Sequence, residues 1–265
     1  MKMMTSRNKY KLNDVGFEVK KVIILKKKIE KINKDIRNIM KYHVSKNYKN
    51  KTNDQLFQLI TKKSKKLRGN IYKTISKLVS GVEILNFSKI KKYFQKNNFK
   101  NLVLTSFSII VMESQKKRFL FPIHQDLKRD SNKSILMWIP LNKSSGDLGG
   151  ITLYKKSHKI GPLKHTSGFD GYMTLNKQSL KKISKLRKFN FTEYNVGDVL
   201  FLSPLLVHQS IINSNKNKNR WTFVIQVDDM TDSKHLLKNL RPFNFNRYFS
   251  PLTNEELRKK FKSKL

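Results

Sequence analysis

The sequence predicts a mainly β protein, a sandwich or barrel, with a helical N-terminal part. Apolar residues recur at steps of three and four through the first hundred positions, which is the helical period. After Asn101 the pattern becomes short β-branched and aromatic runs, separated by clusters of Gly, Asn, Ser and Lys. The length of 265 residues is enough for one large core, so a single domain is expected. Its helical part covers about 17–98, its β core about 102–228, and a C-terminal extension 229–265.

Val22, Leu25, Ile29, Ile32, Ile36 and Ile39 line one face of a first helix. The seam is too short for a coiled coil, and packing on its own domain is preferred. A second helix starts near Thr52 and Gln55, whose spacing fits a capping box. It carries Leu56, Ile60, Leu67, Ile71, Ile75 and Leu78, with Gly69 as its weak point. A third, short helix covers Ser88–Gln95. The strand candidates are "LVLTSFSIIVM", "SILMWIPL", "GITLY", "FTEYNV", "VLFLSPLLVH" and "RWTFVIQVDD". His158 to Asn190 is the longest irregular stretch, and its basic "KKISKLRK" suggests an insertion or an anion-binding lid using Lys181, Lys182, Lys185 and Arg187. Thr253 with Glu256, and Leu252 with Leu257, predict a C-terminal helix.

Composition narrows the function classes. Cysteine is absent, which excludes disulfides, thiolate metal sites and a thiol nucleophile. The apolar runs are too short to span a bilayer as helices, and no signal peptide opens the chain, so a cytoplasmic protein is expected. The net charge of +39 would attract polyanions whatever the function. Its excess is dispersed lysine in an Asn- and Ile-rich chain, which A/T-rich coding explains more simply than a polyanion partner. Arginine, the better base and phosphate reader, is scarce, so no specific nucleic-acid partner is expected.

In "FPIHQDLKRD", His124 and Asp126 stand two apart after an apolar run. On a strand they share a face, and together they are two of the three ligands of a facial triad that leaves iron(II) positions open. The spacing alone fits a surface histidine with a nearby carboxylate better. The triad needs a second histidine, and "GDVLFLSPLLVHQS" offers His208 at the end of a buried apolar run, Val199 to Val207. In "RWTFVIQVDD", Trp221, Phe223, Ile225 and Val227 share one face, and Arg220, Thr222, Val224 and Gln226 the other. An arginine on an inward face requires an anion, which could be a dicarboxylate co-substrate or an internal acid, unless its position is a rim that stays wet.

Taken together, "HQD", "GDVLFLSPLLVHQS" and Arg220 resemble the phytanoyl-CoA dioxygenase type of iron(II)- and 2-oxoglutarate-dependent oxygenase over about residues 102–228. The resemblance implies a double-stranded β-helix, a cupin-like jelly roll, with His124, Asp126 and His208 binding iron and Arg220 clamping the distal carboxylate of 2-oxoglutarate. It also implies co-substrate contacts from Gln125, Ser210 and Trp138, although core packing explains Trp138 equally well. The implied reaction consumes O2 and 2-oxoglutarate, releases succinate and carbon dioxide, and hydroxylates an unactivated C–H of a small-molecule or acyl substrate. Asp126 favours hydroxylation over halogenation, because halogenating relatives lack the carboxylate. One departure is "YKKSHKIG", where Lys156 stands at the family's usual glycine and His158 is left without a role. His43, His165 and His235 read as structural or exposed. Two other classes stay open at this point: a cupin-like metal enzyme that does not use 2-oxoglutarate, and a basic, non-catalytic nucleic-acid or anion-binding protein.

Overall fold

The first apolar stripe becomes a helix later than its spacing predicts. In the computed structural model, which describes residues 11–44, 48, 50–114, 120–126, 133–167 and 172–229, a short helix α1 (Leu12–Val15) precedes strand β1 (Phe17–Lys20), and the long helix α2 is Lys26–Lys41. Val22 has a φ of +47° and, like Leu25, lies outside α2 with its side chain exposed. The buried face of α2 is Ile29, Ile32, Ile36 and Met40, with Met40 taking the place expected of Ile39.

The second stripe is two helices, α3 (Asn53–Lys63) and α4 (Lys65–Ile75). The break falls at Ser64 and not at Gly69, which is helical. Ser64 is extended; its N–H reaches back to the Ile60 carbonyl, and its hydroxyl accepts the Leu67 N–H at 3.2 Å. One residue therefore ends α3 and caps α4. The capping box at α3 forms as expected: Thr52 Oγ1 accepts from Gln55 N–H, and Gln55 Oε1 accepts from Thr52 N–H. Helices α5 (Val79–Val82) and α6 (Ser88–Lys96) complete this layer.

The remaining elements are β2 (Leu102–Met112), β3 (Ser134–Pro140), β4 (Ser144–Ser145), β5 (Gly150–Tyr154), β6 (His165–Ser167), β7 (Met173–Leu175), helix α7 (Lys177–Ile183), β8 (Lys188–Phe191), β9 (Glu193–Tyr194), β10 (Val199–Leu202), β11 (His208–Ile211) and β12 (Arg220–Asp229). The expected C-terminal helix and His235 lie outside the described residues. A five-stranded antiparallel sheet runs β1-β10-β3-β12-β2, and a three-stranded sheet runs β11-β5-β8. Two-stranded ribbons, β4-β9 and β6-β7, complete the β structure. Strand β1 was missed because its four residues, FEVK, pair only through a partner far along the chain, Phe17 opposite Leu202.

The period-two reading of β12 holds. Trp221, Phe223, Ile225 and Val227 join the buried cluster formed with Ile29, Phe57 and Ile71 of the helices. A β-carbon at Gly81 would lie 2.2 Å from Phe223 Cζ, so α5 can sit on the sheet only with a glycine there. Burying a phenylalanine here contributes about 1.5–3 kcal/mol. The opposite face packs Trp138, Leu136 and Val224 against Ile151, Leu153 and Phe191 of the smaller sheet. This is the two-sheet roll that the sequence predicts. The region 158–190 differs from its expectation. Leu163, Leu175 and Ile183 are buried with Tyr154 and Val207, so its described residues are not irregular throughout but carry a small core.

Candidate metal centre

The apolar run Val199 to Val207 is buried except at Ser203 and Leu205, which are half-buried, and only its first four residues pair as a strand. A turn at Pro204, closed by Leu206 N–H to the Ser203 carbonyl at 2.9 Å, carries the chain from one sheet to the other. His208 therefore opens β11; the expectation that it ends a continuous strand was wrong because proline stops the ladder. The Ser157 hydroxyl accepts the Val207 N–H at 2.8 Å and so fixes the approach to His208.

His124 pairs with His208. Each N–H donates to the other's carbonyl, at 2.9 and 3.0 Å, which sets the two rings on one side with centroids 4.3 Å apart. Asp126, two residues on, shares that side, with its carboxylate oxygens 3.5 Å from His124 Nε2 and 3.2 Å from His208 Nε2. The three ligand atoms lie within 4.8 Å of one another. Each histidine is oriented by its own backbone: Nδ1 lies 2.6 Å from the Pro122 carbonyl in His124 and 3.0 Å from the Leu206 carbonyl in His208. A carbonyl oxygen only accepts, so each Nδ1 carries the proton and each Nε2 turns its lone pair inward. Burial works against charge on Asp126, but His208 and His124 outweigh it and hold the carboxyl far below its ordinary range. Burial likewise opposes a charge on His124, and Asp126 outweighs it in the upward direction. Two neutral imidazole nitrogens and one carboxylate, gathered on one side, fit a facially coordinated iron(II).

A second polar feature lies along β11. Arg220 is 2% exposed, and its Nη1 donates to the Gly150 and Ile211 carbonyls at 2.7 and 3.2 Å. Ile211 is three residues from His208, roughly 10 Å along a strand. The guanidinium lies 5.9 Å from the Trp138 ring, and its Nε has no partner. Burial pushes it down to about 10, and among the described residues no carboxylate forms an ion pair with it. The internal acid allowed by the sequence is thus not found there. A buried, unpaired guanidinium fits an anion that arrives from outside.

Of the expected co-substrate contacts, Trp138 is buried, packed edge-on to Phe191 and Tyr194 beneath the guanidinium. Ser210 lies two residues from His208 on the same strand face, on the line toward Arg220. Gln125 faces away from this side. Its Nε2 donates to the Gly161 and Leu205 carbonyls at 3.1 and 2.6 Å, and its Oε1 accepts Leu163 N–H at 2.9 Å. The reason is strand alternation: if His124 and Asp126 point in, the residue between them points out.

Lys156 has φ +67° and ψ 2°, so a lysine here adopts the left-handed conformation that favours glycine. His158 contacts the Asn13 carbonyl, at 3.2 Å, and is not among the three clustered groups; His43 is exposed. Residues that the sequence did not reveal are Gly149 and Gly150. A β-carbon on Gly150 would lie 2.0 Å from the Phe191 carbonyl oxygen, and one on Gly149 2.3 Å from that of Ile212. The signal available was "GG" directly before an apolar strand. His165 was also missed as a neighbour of the site: its Nε2 accepts the Gln125 N–H at 3.0 Å.

Among known proteins, the chain is 31% identical to a 1-deoxypentalenic acid 11-beta-hydroxylase of Streptomyces exfoliatus over 109 residues, 39% of this chain and 38% of that protein. The alignment therefore spans well under half of that relative. Solved structures share the fold. A non-heme monooxygenase, ThoJ, superposes with a TM-score of 0.56 at 13% identity, covering 82% of this chain and 75% of that one. AviO1 of Streptomyces viridochromogenes Tue57 gives 0.55 at 15% identity, covering 83% and 92%. The carbocyclase SnoK of nogalamycin biosynthesis, described as non-heme and alpha ketoglutarate dependent, gives 0.54 at 14%, covering 86% and 88%. The family model for phytanoyl-CoA dioxygenase matches residues 26–220, most of the helical layer and the roll up to Arg220, and the chain belongs to that family.

Proposed function

We propose that this protein is an iron(II)- and 2-oxoglutarate-dependent oxygenase that hydroxylates an unactivated C–H of a small-molecule or acyl substrate, releasing succinate and carbon dioxide. The observation that carries the reading is the convergence of His124, Asp126 and His208, with a buried arginine of β12 that lacks an acid and bonds the Ile211 carbonyl, three residues along β11 from His208. When bound, the iron would activate O2, the oxidant for C–H cleavage, and the keto acid would supply the two balancing electrons as it is oxidised to succinate and carbon dioxide, chemistry that no protein side chain can provide.

The chain's own residues have defined tasks in this reading. His124 and His208 present Nε2 lone pairs, held in that tautomer by the Pro122 and Leu206 carbonyls. Asp126 would add the anionic ligand from the same side as the two imidazoles. Arg220 receives the distal carboxylate of 2-oxoglutarate through the N–H groups not spent on Gly150 and Ile211. Burial makes that ion pair strong and makes it selective for a keto acid with a second carboxylate. Trp138, Tyr194 and Phe191 close the inner wall and keep water from the guanidinium. Ser210 is suited to hydrogen-bond the keto acid between the two anchors. Hydroxylation is favoured among the family's outcomes because Asp126 occupies the position of the carboxylate, and the curated relative's name is that of a hydroxylase.

The test is anaerobic titration with iron(II) and 2-oxoglutarate, followed by oxygen. The native protein develops a weak metal-to-ligand charge-transfer band and then forms succinate; His124→Ala loses both. Identical behaviour of the two proteins refutes the metal assignment. Metal-dependent turnover that survives without 2-oxoglutarate would instead favour a cupin-like enzyme.

A further inference from the structure

We propose that His165 is a positioning residue for the candidate metal centre, supplying through its ring the hydrogen bond that a neighbouring strand would give to the segment carrying His124 and Asp126. This rests on the reading of His124, Asp126 and His208 as metal ligands. The segment around His124 lies beside β11, to which His124 gives both its N–H and its carbonyl. Backbone groups of an extended segment alternate in direction, so those of Ile123 and Gln125 point away from β11. That outer edge is met by the β6-β7 ribbon. The Ile123 carbonyl accepts from Leu175 N–H at 2.9 Å and from Thr174 Oγ1 at 3.1 Å. At Gln125 the ribbon offers no carbonyl. Instead the imidazole of His165, paired with Leu175 in that ribbon, accepts the Gln125 N–H at 3.0 Å.

The ring is fixed for this task. Its Nδ1 lies 2.9 Å from the Leu163 carbonyl and must donate to it, which leaves Nε2 as the acceptor. With that lone pair engaged, His165 is not a further ligand, although it is close to the triad. Leu163 N–H in turn donates to Gln125 Oε1, so backbone and side chain of Gln125 are gripped by the same short stretch, 161–165. Gln125 Nε2 also donates to the Leu205 carbonyl, adjacent to the Leu206 carbonyl that orients His208. One clasp thus ties the support of His124 and Asp126 to the support of His208. Loss of such supporting hydrogen bonds lowers metal affinity about 10–100-fold in comparable sites.

Glutamine and methionine have similar length and volume, but the glutamine carbonyl is a good acceptor for the Gln125 N–H and the thioether sulfur only a weak one. Iron(II) is titrated anaerobically, with 2-oxoglutarate present, into wild type, His165→Gln and His165→Met, and the melting temperature of each metal-free protein is recorded. The expected result is iron affinity about 10–100-fold weaker in the methionine variant, with a shifted charge-transfer band, and recovery of most of that loss in the glutamine variant. Equal affinity in the two variants overturns the role, whether both are weak or both match wild type. A methionine variant whose only defect is a lower melting temperature overturns it too. If wild type itself takes up no iron, the oxygenase reading fails, a result distinct from these.

Discussion

Replacing Lys156 with glycine is expected to stabilise the protein, against the usual effect of introducing glycine. Lys156 sits at φ +67°, ψ 2°, where an L side chain costs about 1–2 kcal/mol because its β-carbon crowds the following carbonyl oxygen. Glycine removes that cost but brings about 0.5–1 kcal/mol of extra chain entropy to be lost on folding. The side chain is exposed and its backbone N–H bond to the Val15 carbonyl at 2.9 Å is unaffected by the change. The difference is a gain of about 0.5–1 kcal/mol, a rise of about 1–4 °C in melting temperature for a chain of this size. Urea and thermal unfolding of metal-free Lys156→Gly and Lys156→Ala measure it, since alanine keeps the β-carbon and should gain nothing. An alanine variant as stable as the glycine variant, or a glycine variant no more stable than wild type, refutes the argument from backbone strain. The turn also matters to the site, because Ser157 follows it and its hydroxyl holds the Val207 N–H just before His208.

Arg220→Met should leave iron(II) uptake in place while weakening 2-oxoglutarate binding by about 2–5 kcal/mol, at least about thirtyfold in Kd. The same variant should be more stable than wild type without the keto acid, because it removes a buried charge that has no acid beside it; equal keto-acid affinity, measured by calorimetry with and without metal, would exclude the clamp. Gly150→Ala should cost about 3 kcal/mol or more, since the new β-carbon would lie 2.0 Å from a backbone oxygen that cannot swing aside. A urea midpoint close to wild type would show that β5 and β8 tolerate a wider spacing.

The parts of the fold written in local periodicity were legible. Leu102–Met112, Gly150–Tyr154 and Arg220–Asp229 are strands with the bounds their composition predicts, and the faces of β12 divide as alternation requires. The clustering of His124, Asp126 and His208 was legible for another reason: period two aligns the first pair, and a long apolar run leads to the third residue. What was lost depends on partners distant in sequence. "FEVK" is a strand only because β10 needs an edge neighbour, and the stripe from Leu56 to Ile75 breaks at Ser64 because one hydroxyl can start a new helix there. Apart from Pro204, the apolar run before His208 gave no sign of folding over, since Pro204 and Leu206 of its turn are as buried as the strand they follow. Hydrophobicity reports burial; direction came from Pro204.

Gln125 shows how far a motif carries. In the sequence it stands between two candidate ligands, which invites a role in binding the keto acid. The pleat that brings His124 and Asp126 together must send Gln125 to the opposite side, where its amide meets the backbone of Gly161, Leu163 and Leu205. A buried amide so engaged cannot be withdrawn without orphaning a backbone group, at about 1–3 kcal/mol each. The residue therefore acts on the centre from behind, and so does His165, forty positions away and visible only once the ribbon is folded beside it. Motif spacing selects the residues that face the reaction. The groups that hold them in register lie on the other face of the same strand, where spacing carries no information about which distant loop will arrive.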